Sequence, residues 1–187
     1  MSVEEFYAWQ RDQPVRYELI DGVPVRLRGM TGANHVHDLI LTNVLALLWI
    51  ALRGKPCRVA SADMAIRTAI RSTRRPDVMV ECAHYDKDSV EARNPSVVVE
   101  VLSRSTRKID QFTKLDEYRR HPTLRHILLI DPDNISAKLY SRAEGDAWTD
   151  ADLQGAEAPV TLSAVEVELR LGDFYERLTM PIETAGD

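Results

Sequence analysis

Three observations predict a single domain of mixed α and β structure. The chain has 187 residues, enough for one domain that buries about 70% of the surface its unfolded chain exposes. Residues 95–103, Pro-Ser-Val-Val-Val-Glu-Val-Leu-Ser, are apolar on both faces except at Glu100, the pattern of a central strand covered on both sides. Between Ala33 and Leu52 the positions Val36, Leu39, Ile40, Val44, Leu47, Leu48 and Ala51 recur at three- and four-residue intervals, which is a long helix stopped by Gly54. A carboxylate inside a buried strand is costly unless it has a partner. Glu100 therefore calls for a role.

In chain order, Ser2-Val-Glu-Glu5 reads as a capping box, and Phe6 and Trp9 share a face of the short helix it opens. Arg16 to Ile20 and Val23 to Leu27 are β-rich segments on either side of Asp21-Gly22, a strong hairpin signal. Glu18 lies in the first of them, either as a solvent-facing residue of an edge hairpin or as part of a site. His35 and His37 are two apart at the start of the long helix, point in different directions, and do not ligate one metal together. His37 has two open readings: a capping or packing histidine, or a residue that reaches a neighbouring site.

Short strands follow at Cys57 to Ala60 and Met64 to Arg67, then a basic turn, then Pro76 to Cys82, where Val78 and Val80 alternate with Asp77, Met79 and Glu81. Asp77 stands at the entry of that strand. Residues 83–94 are polar and read as a surface loop before the Glu100 strand. Ser105 or Thr106 caps a helix through about Arg120, with Ile109, Phe112 and Leu115 as its apolar stripe. Asp110, Lys114 and Tyr118 fall four apart on another face, which looks back toward the strand end.

Leu124 to Ile130 is a further strand, turned by Asp131-Pro-Asp-Asn134 into its partner Ser136 to Ser141. The tail holds weak strands near Trp148 and at Pro159 to Leu162, then a short helical element at Phe174 to Leu178. There is no repeat, low-complexity tract or linker, so one domain spans residues 1–187.

No apolar stretch reaches the roughly 18 residues of a membrane span, and no basic region followed by an apolar one opens the chain. The expectation is a cytoplasmic protein with no membrane partner. Cys57 and Cys82 form neither a disulfide framework nor a CxxC pair, which points to a reducing compartment and away from thiolate zinc. The net charge is −5, yet residues 144–187 hold 11 acids and 2 bases, which leaves 18 acids and 22 bases in residues 1–143. Arg67, Arg71, Arg74 and Arg75 stand without an acid among them, and Arg104, Arg107 and Lys108 follow the Glu100 strand. Two readings are open for these groups: contacts to phosphates, or solvated charges on a loop and a helix start.

Asp77 and Glu100 are 23 residues apart on successive β segments, and such strands are often neighbours in one sheet. Carboxylates at adjacent strand ends make an oxygen-rich site for a hard cation such as Mg²⁺, which keeps waters for a substrate phosphate. Lys114 from the following helix is placed to stabilise developing charge or position a water. A structural ion pair among Asp77, Glu100 and Lys114 is the other reading of the same residues.

These residues carry a resemblance. Tyr17-Glu-Leu-Ile-Asp-Gly22, His37 with Ile40 and Asn43, Arg75-Pro-Asp-Val78, Val99-Glu-Val-Leu-Ser103 with Ser105-Thr106, then Asp110, Lys114, Tyr118 and Leu129-Ile-Asp-Pro132 together resemble the Uma2 family of endonucleases, in the PD-(D/E)XK restriction-endonuclease-like superfamily. The matching pieces run from about Ser2 to Leu178. The resemblance implies an α/β restriction-endonuclease-like core, a central mixed β-sheet flanked by helices, with an N-terminal hairpin and a long helix. It further implies that Asp77 and Glu100 hold Mg²⁺ (or Mn²⁺), with Glu18 as a possible third acid from the hairpin. One departure from the superfamily pattern is Leu102, which stands two after Glu100 where the superfamily has its lysine. In the Uma2 pattern Lys114 supplies that lysine from the helix.

The expected function is a Mg²⁺-dependent endonuclease acting on DNA. Asp77, Glu100 and Lys114 are the catalytic set, Glu18, His37, Asp110 and Tyr118 are possible additions, and Arg74, Arg75, Arg104 and Arg107 hold phosphates. A homodimer is expected because duplex cleavage cuts two strands. The competing readings are a non-cleaving nucleic-acid-binding or regulatory protein that keeps the fold, and, less favoured by the arginines, a carboxylate-pair glycosidase.

Overall fold

The structure, a computed structural model, describes residues 1–27, 35–82, 86–102 and 109–179. Helix α1 (Val3–Gln10) opens with the expected capping box. The Ser2 hydroxyl accepts the Glu5 N–H at 3.1 Å, and the Glu5 carboxylate accepts the Ser2 N–H at 2.7 Å. Strands β1 (Tyr17–Ile20) and β2 (Val23–Arg26) form the expected hairpin. Asp21 and Gly22 turn it with φ of 48° and 81°, the left-handed pair that a two-residue hairpin loop requires.

This hairpin belongs to a four-stranded sheet ordered β2-β1-β5-β4, with β4 (Ile66–Ala69) and β5 (Ser72–Arg74). Strand β5 replaces part of the expected basic turn, and the reversal falls instead at Ile70-Arg71. Ser72, Thr73 and Arg74 are all buried, so polar side chains occupy positions where an alternating apolar pattern would have announced a strand.

The larger sheet is ordered β10-β9-β8-β7-β6-β3. Its strands are β3 (Arg58–Ser61), β6 (Val78–Glu81), β7 (Pro95–Val101), β8 (His126–Asp131), β9 (Ser136–Arg142) and β10 (Trp148–Gln154). Only β7 and β8 are parallel, joined by the crossover that contains α3 (Ile109–Arg120), so the sheet is mixed. Helix α2 (His35–Ala51) covers one face, with Ile40, Val44 and Leu48 against Val78, Val80, Val97, Val99 and Val101. Helix α3 covers the other, with Leu115 and Tyr118 against Met79, Val98, Ile127 and Leu129. Strand β7 is therefore buried on both sides, as its valine run implies, and each such side chain contributes about 1.5–3 kcal/mol.

A two-stranded unit, β11 (Pro159–Leu162) and the unanticipated β12 (Val167–Arg170), closes the α2 side with a helical turn at Leu171–Tyr175. That turn starts three residues before the expected element. Asn43 of α2 donates to the carbonyls of Phe174 and Glu176, both at 3.0 Å, and so ties the tail to the helix.

Two expectations need correction. Phe112 is 72% exposed and leaves the core, because the sheet beneath α3 receives Leu115 and Tyr118 instead. Cys57 and Cys82 are joined by a disulfide. They stand opposite one another just beyond the Arg58–Glu81 pair of β3 and β6, so strand pairing closes a 25-residue separation that sequence spacing does not reveal. The reducing-compartment reading rested on unpaired cysteines and loses that basis.

Candidate active site

Strand register brings Asp77 beside Glu100. Val78 pairs with Val99 at the end of the β6–β7 ladder, so Asp77, one residue earlier, faces the position of Glu100. The carboxylate fastens the end of the ladder: Asp77 Oδ2 accepts the Val101 N–H at 2.8 Å. His37 Nε2, from the first turn of α2, lies 3.6 Å from the same oxygen.

Glu100 points toward α3. Its Oε1 accepts the Tyr118 hydroxyl at 2.7 Å, and Lys114 Nζ lies 3.5 Å from that oxygen. Lys114 and Tyr118 are one helical turn apart, so a single face of α3 presents both to the strand. Glu18 of β1 meets the same ammonium at 3.6 Å. Glu18 is 4% exposed, which corrects its reading as a solvent-facing hairpin residue; the hairpin turns it inward against β5 and α3.

Behind this set lies a second ring of charge. Arg74, only 1% exposed, donates from Nε and Nη2 to the two Glu117 oxygens, each at 2.7 Å, and from Nη1 to Glu18 Oε2 at 3.1 Å. Thr68 adds a hydroxyl donor to Glu117 at 2.7 Å. Arg75 is also buried; its backbone N–H serves Glu18 Oε1 at 2.9 Å, and its guanidinium donates to the carbonyls of Tyr17 and Asp63. Arg74 and Arg75 are thus structural cations facing protein acceptors, which corrects their assignment to phosphate. Sequence reasoning misses Glu117 and Thr68, although Glu117 shares the helical face of Lys114 at a spacing of three. Arg104 and Arg107 lie outside the described residues, as does the Asp110 side chain.

The electrostatics follow from burial. Desolvation pushes the Glu100 carboxyl up to about 7, with Lys114 opposing the shift and the Asp77 and Glu18 charges adding to it. Burial works against the Lys114 ammonium, yet Glu100, Glu18 and Asp77 outweigh it and hold the group protonated above its usual range. The Asp77 carboxylate 3.6 Å away raises His37 despite burial. Glu117 is held below the usual carboxylate range because Arg74 and Thr68 overcome its desolvation.

With all four carboxylates ionised, Glu18, Asp77, Glu100 and Glu117 outnumber the cations Arg74, Arg75 and Lys114 by one, and a metal ion beside Glu100 would favour the ionised form that burial disfavours. Among the described residues no group of three or more His, Cys, Asp or Glu is arranged around a metal position, and Asp77 and Glu100, at adjacent strand ends, are the pair of carboxylates that could hold one. A pair of hard oxygen donors suits Mg²⁺, which binds through one or two carboxylates and keeps several waters. The residues fit such an ion.

The "Uma2: Putative restriction endonuclease" family matches residues 3–172. Two cyanobacterial relatives from Synechocystis sp., both described as uncharacterized, align over most of their length. One, slr1290, is 28% identical over 95% of this chain and 93% of its own, and the other, sll1609, is 26% identical over 89% and 95%. A crystal structure described as "a putative nuclease belonging to DUF820" from Anabaena variabilis superposes with a TM-score of 0.73 at 15% identity, covering 94% of this chain and 97% of that one. At that identity the likeness shows the fold, and the family match carries the membership: this chain belongs to the Uma2 family, whose description is that of restriction-endonuclease-like nucleases.

Proposed function

We propose that the protein is a Mg²⁺-dependent (or Mn²⁺-dependent) endonuclease that hydrolyses phosphodiester bonds of DNA. The observation that carries this reading is the meeting of Asp77, Glu100 and Lys114, from three elements, in one largely buried cluster where two carboxylates face one ammonium. A divalent cation held by Asp77 and Glu100 supplies Lewis-acid neutralisation of a phosphodiester in attack. Lys114 stays protonated between Glu100 and Glu18, so it serves as a hydrogen-bond donor that steadies the attacking water and the phosphate charge. Tyr118 fixes the Glu100 carboxylate, and the Val101 N–H fixes Asp77. His37 places a further proton-bearing group beside Asp77.

Water adds to phosphorus, one bridging P–O bond breaks, and the products are a phosphate monoester and a hydroxyl end. Arg104 and Arg107, which follow β7 in sequence, are the side chains we assign to the flanking phosphates. Two copies of the chain in a homodimer would supply one site per strand of a duplex.

Supercoiled plasmid incubated with purified protein and Mg²⁺ or Mn²⁺ tests the reading. Wild type nicks or linearises the plasmid, while Asp77→Asn, Glu100→Gln and Lys114→Ala lose about a hundredfold or more of the rate. Plasmid left intact by wild type with either metal overturns the nuclease reading. Cutting by Asp77→Asn at the wild-type rate overturns the site assignment alone. A second reading, a non-cleaving nucleic-acid-binding or regulatory protein, is favoured by the closed ion pairing of Lys114 with Glu100 and Glu18, which is complete without a ligand. It predicts plasmid that is retarded on a gel and uncut.

A further inference from the structure

The catalytic cluster does not use the arginines that the structure leaves at the surface. An open cleft of about 1000 Å³ lies between the N-terminal segment, the Ile70-Arg71 reversal and the C-terminal end of α3. Four arginines line it, Arg67, Arg71, Arg93 and Arg120, against two acids, Glu4 and Glu91. The cleft is therefore positive on a chain whose net charge is −5. Arg67 is engaged by both acids, at 2.8 Å to Glu4 and 3.2 Å to Glu91, and these bonds anchor the wall of the cleft. The Arg93–Asp86 contact is a surface ion pair, with Arg93 68% exposed, and such pairs hold a side chain only weakly.

Arg71 is placed by the backbone. The Gly22 N–H donates to the Arg71 carbonyl at 2.8 Å, and a Cβ on Gly22 would stand 2.2 Å from Arg71 Nη2. The glycine of the hairpin turn thus leaves the space in which the Arg71 guanidinium lies at the edge of the cleft. Arg120 enters from α3, six residues after Lys114, about 9 Å along the helix axis. Forked guanidinium donors on an open surface match phosphate oxygens, and the volume exceeds what a single inorganic anion fills.

We propose that this cleft binds the phosphate backbone of a nucleic acid, with Arg71, Arg93 and Arg120 as its contacts. The inference rests on the nucleic-acid reading above and adds the surface that holds the strand away from the reacting phosphate. Binding of a fluorescent random-sequence DNA duplex by the full chain tests it, in EDTA so that no cutting intervenes, as a function of salt. The parent protein binds with an affinity that falls steeply with salt. Arg71→Ala/Arg120→Ala binds about tenfold or more weakly at low salt, with a log–log salt slope shallower by about 2, close to one unit per lost phosphate contact. Arg71→Lys/Arg120→Lys keeps most of the affinity, which separates lost charge from misfolding.

Equal affinity and slope in the alanine variant overturn the cleft assignment and leave the nuclease reading standing. No salt-dependent binding by the parent overturns that reading and this inference with it. Displacement of the duplex by poly-glutamate at equal charge concentration overturns the assignment to phosphates in favour of an acidic polypeptide.

Discussion

Lys114 and Glu100 form an ion pair 3.5 Å apart at the junction of α3 and β7, with both side chains largely out of water. Removing one member of such a pair leaves an uncompensated charge, at a cost of about 3–5 kcal/mol, whereas removing both costs less. Lys114→Ala should therefore lower the unfolding free energy more than Lys114→Ala/Glu100→Gln does. Urea unfolding of the four members of this cycle should give a coupling of about 0.5–3 kcal/mol. Additive losses would show that the pair is not an energetic unit.

Arg74 links Glu18 of the hairpin to Glu117 of α3 through three hydrogen bonds. Arg74→Ala strands the buried Glu18 and the partly buried Glu117 carboxylates and should cost about 3–5 kcal/mol. Arg74→Lys keeps a positive charge but cannot reproduce the two-pronged contact at 2.7 Å, so it should recover only part of the loss. Chemical denaturation of the two variants checks the order; full recovery by lysine would mean that charge alone matters.

His126 gives the fold a sensitivity to acid. Its Nε2 accepts the Ala164 N–H at 3.1 Å, and its Nδ1 lies 3.0 Å from Ser141 Oγ, which defines a neutral ring with the proton on Nδ1. Burial pushes its pKa down from 6.5 to about 4. The unfolded chain then binds a proton more readily than the fold does between these values. This contribution to stability is intact above about pH 6.5 and is lost progressively as the pH falls toward 4, by an amount on the order of 3 kcal/mol. His126→Gln should flatten that limb of the stability–pH curve measured by urea titration. An unchanged limb would place the acid sensitivity elsewhere.

Gly22 holds φ of 81° in the hairpin turn and leaves room for the Arg71 guanidinium. Gly22→Ala should destabilise by about 1 kcal/mol through the left-handed backbone, since the group it meets is the movable end of a side chain. It should also weaken DNA binding by displacing Arg71. Thermal unfolding measures the first effect and the salt titration of DNA binding the second; loss of stability with unaltered binding would separate Arg71 from the cleft.

The parts of the fold written in apolar pattern are legible in the amino-acid sequence. The valines of β7, the three- and four-residue periodicity of α2 and the Asp-Gly hairpin each state their geometry locally. Glu100 is legible too, because an acid in a buried strand is conspicuous, and Asp77 is legible as the residue at the entry of the strand before it. The features that escape a sequence reading depend on contacts between distant segments. Strand β5 is built from polar residues whose burial is made possible by β1 and α3, and Arg74 reads as a surface cation until Glu18 and Glu117 close around it. The Cys57–Cys82 bond follows from the register of β3 against β6, which no spacing rule supplies. Phe112 resembles a core residue because its spacing to Leu115 is helical, yet the sheet surface takes the stripe one step round the helix.

We propose that Asp77 and Glu100, which stand just beyond the Val78–Val99 end of the β6–β7 ladder, share a divalent cation. Melting temperature measured against Mn²⁺ and Mg²⁺ concentration tests it most directly, since a ligand that binds only the native state stabilises it. Shared coordination predicts a rise that grows with the logarithm of metal concentration above Kd, roughly 5–10 °C for wild type at about a hundredfold excess, and none for Asp77→Asn or Glu100→Gln. The same rise in wild type and both variants would contradict it.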